Sequence, residues 1–348
     1  MPTTGAFTLV DELSLSQPKY RAGVLKTLVE QVSMQDRVPY TTTGSKTVNT
    51  RFLSNIPSVQ LRFLNEAVGL RKAEFSEMSE TLAIIENDVD IDPVFLDEST
   101  HVQNIELAQT ENIIASIGYK VNDMFINADP TVDPREPLGL KYRLTSDPRF
   151  NGQTVNTSAD TTKSDFIPGT ATDAEILHIL NKLDTTMYLL NNGNALGSTV
   201  MISSQQMALA FRANLRQIKM YDTTRDQFDR EFVQYGSLPL LDIGYDDAGA
   251  IDGTPATSGA DGNQVIGYDN DSPTGNGANA YTATTPIYFV RFGESYCTGL
   301  QQTPLKVEPI GKTDASPHYI RTNIRWVMSP LAVFQKRAIA RLVGSELI

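Results

Sequence analysis

Residues 94–127 read VFLDESTHVQNIELAQTENIIASIGYKVNDMFIN, and the second half of that stretch decides the architecture. Ile113, Ile114, Ile117, Val121, Met124 and Phe125 stand at offsets 0, 1, 4, 8, 11 and 12, one apolar stripe on a helix of 3.6 residues per turn. Gln109, Glu111, Asn112, Ser116, Lys120 and Asp123 fall away from the stripe. Asp97 or Ser99 can cap the start, and Asp129-Pro130 stops the helix. From Glu98 to Ile126 such a helix would run about 43 Å at roughly 1.5 Å per residue. Helices of globular proteins average only about 11–12 residues. The apolar pattern does not persist over the heptads a coiled coil needs, so the spacing predicts a beam crossing a flat domain.

On the N-terminal side of this beam the chain is poor in core material. Residues 1–40 form an arm in which Arg21 to Val32 predicts one short helix, with too little apolar surface for a core of its own. Two runs follow the polar stretch PYTTTGSKTVNTRF. In Ser58 to Leu64, Val59, Leu61 and Phe63 alternate with Gln60 and Arg62. In Ala73 to Ile85, Phe75 leads to Leu82, Ile84 and Ile85. With Gly69 as the turn residue they predict a long two-stranded hairpin, Ser58 to Ile85. An isolated hairpin is at best marginally stable in water. Nothing nearby in the sequence offers it a face, so a neighbouring subunit is the natural support.

After the beam, Thr172 with Glu175 forms a capping box for a helix over Asp173–Asn191. Ile176, Ile179, Leu180, Leu183, Met187 and Leu190 make its stripe, and Gly193 suits its C-terminal cap. Thr199 to Ile202 reads as a buried strand, Ser203 with Gln206 as the cap of a helix through Arg216, and VQYGSLPLLDIGY as strand, turn and strand. No Lys or Arg lies between Glu231 and Val290, and 246–285 is mostly Gly, Ala, Asp, Asn, Thr and Ser, the composition of a surface insertion. IYFVRF, LKVEPI and YIRTNIRWVM read as closing strands, the last broken at Ser329-Pro330.

The totals bound what such a chain does. Its 348 residues, 40% hydrophobic and 20% charged, are ordinary for a folded protein with ample core. No apolar run approaches the ~18–20 residues that span a bilayer, and no basic-then-apolar signal peptide opens the sequence. A net charge of −12 argues against general affinity for nucleic acid. A single cysteine, Cys297, leaves no internal disulfide and reads as a small buried hydrophobe. His101, His178 and His318 lack metal-ligand spacing. Asp88, Asp90 and Asp92 share one strand face, read as solvated; Asp269 and Asp271 lack the ordered ligand series of a calcium loop. There is no phosphate-binding glycine motif and no nucleophile elbow. The sequence therefore predicts no catalytic residues, no cofactor and no metal.

The order of segments resembles the Hong Kong 97-type major capsid proteins of tailed phages. NDMFINADP is similar to the ending of that family's spine helix, with Ala128 where the family has glycine. PLGLKYRL, DAEILHILNKLDTTMYLLNN with STVMISSQQMALAFR, YGSLPLLDIG, and the closing segments IYFVRFGESYCTGLQQTPLKVEPI and YIRTNIRWVMSPLAVFQKRAIARL match its later steps in order. The resemblance implies an α+β capsid fold. Its parts would be an N-terminal arm (1–40), an extended E-loop hairpin (41–90), a peripheral domain with the spine helix (91–135 and 286–333), and an axial domain (136–285 and 334–348) that carries the insertion 246–285. It implies self-assembly into the hexamers and pentamers of an icosahedral phage head in the virion, built in the host cytoplasm. Double-stranded DNA would be enclosed without sequence-specific binding, and portal protein with scaffolding or cement proteins would be partners; no membrane is implied. Arg62, Glu66, Arg71 and Lys72, at the hairpin tip and strands, become candidate subunit-interface residues. Exposed ion pairs there contribute only ~0–1 kcal/mol each, repeated in every subunit. An encapsulin-type compartment shell is the alternative, and a hydrolase or carbohydrate-binding module a second one.

Overall fold

The computed structural model describes residues 34, 37–55, 57–92, 105–156, 169, 171–191, 198–220, 222–225, 231–244, 265–266, 285–312 and 319–343; of 52–55, 105–108 and 191 only the backbone is described. The helix predicted over 21–32, the caps at Asp97 and Ser99, His101, His318, Gly193 and most of the insertion lie outside those residues.

Helix α1 (Ile105–Asn127) is the beam, about 34 Å long at ~1.5 Å per residue. Ile114, Ile117, Val121, Met124 and Phe125 are buried, as the stripe requires, and Gln109, Asn112, Ser116 and Lys120 are exposed. Ile126 and Asn122 are buried too, because the C-terminal half of α1 is covered on a second side. The short helix α2 (Leu140–Thr145) docks there. Gly139 donates its amide to the Ala128 carbonyl at 2.9 Å. A Cβ at Gly139 would stand 2.6 Å from that oxygen, so the closeness of this step requires glycine.

Two sheets flank the beam. The first has the order β1-β11-β12-β4, built from β1 (Tyr40–Thr42), β4 (Ala83–Ile91), β11 (Cys297–Lys312) and β12 (Ile320–Val333). Its centre is the fully buried Trp326, with the Tyr40 ring 5.8 Å away. β12 does not break at Ser329-Pro330 as the sequence predicted. The ladder instead shifts register, Leu300 facing Ser329 and Thr298 facing Ala332, so that two residues of β12 oppose Gly299 alone. A bulge of this kind is where a strand tolerates proline, which has no N–H to donate.

The second sheet has seven strands in the order β5-β13-β10-β6-β9-β8-β7. They are β5 (Thr154–Asn156), β6 (Thr199–Ser203), β7 (Asp222–Arg225), β8 (Glu231–Tyr235), β9 (Leu238–Asp242), β10 (Ile287–Arg291) and β13 (Ile339–Val343). Helices α3 (Asp173–Asn191) and α4 (Gln205–Gln217) cover one face, where Ile176, Leu183, Met207 and Phe211 pack on Met201, Leu240 and Phe289. The alternate residues Val200, Ile202, Tyr288 and Val290 point the other way, into the core around α1. Burial on both faces explains why TVMIS and IYFV are continuous apolar runs. The capping box is present: Thr172 N donates to Glu175 Oε2 at 2.8 Å, and Glu175 N to Thr172 Oγ1 at 3.4 Å. The cap of α4 is one residue later than predicted. Ser204 Oγ accepts from Met207 N, while Ser203 ends β6.

The predicted hairpin is corrected in register. β2 (Thr47–Asn55) pairs antiparallel with β3 (Glu74–Thr81), Thr47 facing Thr81 and Leu53 facing Phe75; Ser58–Leu64 is no strand. Alternation at Val59, Leu61 and Phe63 needs a face to bury against, and none is present. The polar, β-branched run TVNTRF suits a ribbon whose outer face is solvated and whose inner face is covered only near the foot. At Leu82, whose amide bonds the Lys46 carbonyl at 2.9 Å, the chain leaves the ribbon for β4, where Ile85 faces Trp326. Leu82, Ile84 and Ile85 thus belong to the body.

Candidate assembly interface

The ribbon β2–β3 is a sheet of two strands, and from its far end hangs a tip, 57–73, without regular structure. Eight residue steps from Thr47 to Asn55 carry it about 27 Å at roughly 3.4 Å each. The tip presents large apolar groups to solvent: Val59, Leu61, Phe63, Leu64 and Leu70 are between 85% and 101% exposed, and Phe75 at the end of β3 is 64% exposed. Burying one such side chain yields about 1.5–3 kcal/mol. Contiguous exposed apolar groups in a folded chain mark a surface that another molecule covers.

The four predicted interface residues lie at this tip, in two different situations. Arg62 and Glu66 close a local turn: Glu66 Oε2 accepts from Phe63 N at 2.8 Å, Arg62 Nη1 donates to the Glu66 carbonyl at 3.3 Å, and Asn65 between them has φ +68°. Arg71 donates across the tip to Ser58 Oγ. Lys72 is exposed and makes no side-chain bond among the described residues. The charges thus shape the tip, and its apolar side chains face solvent. Sequence reasoning took those side chains as one face of a strand; a run of aliphatic and aromatic residues with no partner face was the signal.

A second feature was not foreseen at all. At the foot of the ribbon, Glu80 and Arg143 are both fully buried and 2.6 Å apart. Glu80 Oε1 also accepts from Val333 N at 3.4 Å, and Arg143 donates to the carbonyls of Leu331 and Leu138 at 3.2 and 3.1 Å. Met78, one period before Glu80 on β3, is buried beside them, its Sδ 3.7 Å from Arg143. Nearby, Arg149 grips Asp147 through both carboxylate oxygens and donates to the Glu77 carbonyl at 3.4 Å. Burial works against the Asp147 carboxylate, but the bonds from Arg149 outweigh it and hold its pKa below the usual range. The inward alternation of Met78, Glu80 and Leu82 was the available hint.

The remaining candidates are structural. Cys297 is wholly buried in β11, where burial pushes the thiol pKa far up. Asp88 and Asp90 lie on the exposed face of β4. Arg321 holds Asp90 in a two-pronged bond at 2.7 and 2.6 Å, and Asn323 bonds Asp88 and Glu86. His178 sits on α3, and no cluster of three metal-ligating side chains occurs among the described residues.

Comparison with known proteins agrees with this architecture. A family model described as Major capsid protein GP7 matches residues 22–175. Among solved structures, the holo-SrpI encapsulin complex from Synechococcus elongatus PCC 7942 aligns with a TM-score of 0.58 at 15% identity, over 99% of this chain and 93% of that one. The capsid of a native GTA particle gives 0.54 at 15% identity, over 91% and 90%. Mycobacterium phage Bobi gives 0.50 at 11% identity, over 91% and 89%. No curated protein matches the sequence. Identities this low speak for the fold alone, which capsids and encapsulins share. The chain has the Hong Kong 97-type α+β capsid fold, and over residues 22–175 it is similar to the major capsid protein family.

Proposed function

We propose that this protein builds an icosahedral phage head by assembling with copies of itself into hexamers and pentamers, each ribbon lying across the adjacent subunit. The observation that carries this reading is the ribbon itself: two strands covered only at the foot, where Met78 and Glu80 are buried, with an apolar tip in solvent. Arg62, Glu66 and Arg71 hold the tip's shape against the neighbour, and Lys72 reaches for a carboxylate there. Contacts that join different patches of identical subunits close into rings, the symmetry a shell requires. With a net charge of −12 the wall contains double-stranded DNA by enclosure and not by attraction. The arm, the ribbon, the peripheral layer around α1 and the axial layer around α3 and α4 are the working parts. Portal protein and scaffolding or cement proteins complete the particle.

The encapsulin likeness favours a second reading, a compartment that holds protein cargo. Sedimentation of the purified protein, followed by electron imaging, tests both. Megadalton shells support either reading, and the contents of natively isolated particles decide between them: nucleic acid for the phage head, protein for the compartment. A chain that stays at one to four copies at every concentration refutes both.

A further inference from the structure

We infer that the buried Glu80–Arg143 pair is a lock that fixes the direction in which the ribbon leaves the body, and so sets the curvature of the assembled shell. This rests on the assembly reading above. A ribbon about 27 Å long is a lever, so a 10° swing at its foot carries the far end of β2 about 5 Å, enough to take an apolar tip off its seat. Backbone pairing does not prevent such a swing. β3 hands over to β4 at Leu82, and the single bond from Leu82 N to the Lys46 carbonyl closes the foot as a hinge does.

Angular restraint comes from side chains that cross from ribbon to body. Glu80 projects from β3 into the body, where its two oxygens take separate donors, Arg143 of α2 at 2.6 Å and the Val333 amide of β12 at 3.4 Å. Arg143 is held in turn by the Leu138 and Leu331 carbonyls. Three elements therefore meet on one carboxylate, with the Arg149 bond to the Glu77 carbonyl as a second tie three residues away along β3. A pair of charges taken wholly out of water contributes little net stability against an apolar pair of equal volume, whereas its geometry is exacting. Orientation is what such a pair supplies that leucine and methionine would not.

Three variants test the lock: Glu80→Gln, Arg143→Lys, and the double Glu80→Leu/Arg143→Met, which fills the site with apolar groups. Each is read twice. In dilute subunits, amide hydrogen exchange over residues 46–54 and 74–81 is expected to quicken at least tenfold, with α1 and β12 within twofold of the parent. In assembled samples, closed particles of parental diameter are expected to fall at least tenfold, replaced by irregular or differently sized shells. A double variant that keeps parental exchange at the foot, or gives parental shells in parental yield, overturns the inference. So does loss of protection across the whole body in all three, which would make the pair a general stability element. Should the parent protein itself form no shells, the assembly reading fails, and the exchange comparison still decides whether the pair restrains the ribbon.

Discussion

Replacing Leu61, Phe63 and Leu70 together by serine separates the two roles a side chain can have in this molecule. In the isolated subunit these residues touch no core, with exposures of 101%, 85% and 100%. Surface changes of that kind move folding stability by no more than about 0.5 kcal/mol, so the denaturant midpoint should stay at the parental value. Assembly should respond very differently. Full burial of a large apolar side chain contributes about 1.5–3 kcal/mol; at the low end and with half burial, three of them supply about 2.3 kcal/mol per ribbon. At roughly 1.4 kcal/mol per tenfold, that raises the concentration at which shells form about 40-fold. Light scattering against protein concentration gives the threshold, and gradient sedimentation confirms the particle. Lys72→Gln is the comparison, because an exposed ion pair worth ~0–1 kcal/mol moves the threshold about fivefold at most. If the triple variant assembles at the parental threshold, or Lys72→Gln costs more than the triple variant, the reasoning that places the adhesive surface in the apolar tip is wrong.

Other consequences concern the body. Gly299→Ala puts a Cβ 2.4 Å from the Tyr40 ring, which is wedged beside Trp326; a loss of about 1–3 kcal/mol is expected in equilibrium unfolding. Thr172→Ala removes half of the capping box on α3 and should cost about 1 kcal/mol by the same measurement. Asp242 has its carboxyl pKa raised by burial, against which the Gly244 amide works. A raised folded pKa means that the folded state binds the proton more readily, so this residue's contribution falls as pH rises from the unfolded value near 4 through the folded one. Asp242→Asn should therefore be the more stable form at pH 7, with the difference vanishing below pH ~4; a deficit at pH 7 would contradict the assignment. Cys297, buried and with its thiol pushed up, should resist iodoacetamide at pH 8 in the native protein and react in urea.

Much of the body was legible in the sequence because its elements carry their own signals. The stripe from Ile113 to Phe125, the box of Thr172 with Glu175, and the doubly buried TVMIS are local patterns whose meaning does not depend on a distant partner. Register in the ribbon was not legible for the opposite reason. Val59, Leu61 and Phe63 alternate as a strand does, but alternation becomes pairing only where a face is buried, and within one subunit it is not. Pro330 misled in a related way, since a bulge opposite Gly299 absorbs the missing donor and lets β12 run on to Val333. Glu80 and Arg143 are 63 residues apart, and nothing in either neighbourhood announces that they meet.

The places where local reading failed have a common cause, and it bears on function. A chain that folds for itself alone would bury its alternating apolar residues and leave its charges outside. Here the ribbon reverses that arrangement at its two ends, with aliphatic and aromatic side chains in solvent at the tip and a carboxylate with its guanidinium in the core at the foot. Exposed apolar groups are unfavourable unless another surface covers them, and a buried ion pair adds little stability that leucine would not. Both fit the proposal that the ribbon reaches a second molecule and arrives there at a fixed angle. A subunit of a shell is under both demands at once, because a contact repeated around a closed surface multiplies any error in direction as surely as it multiplies the energy of the contact.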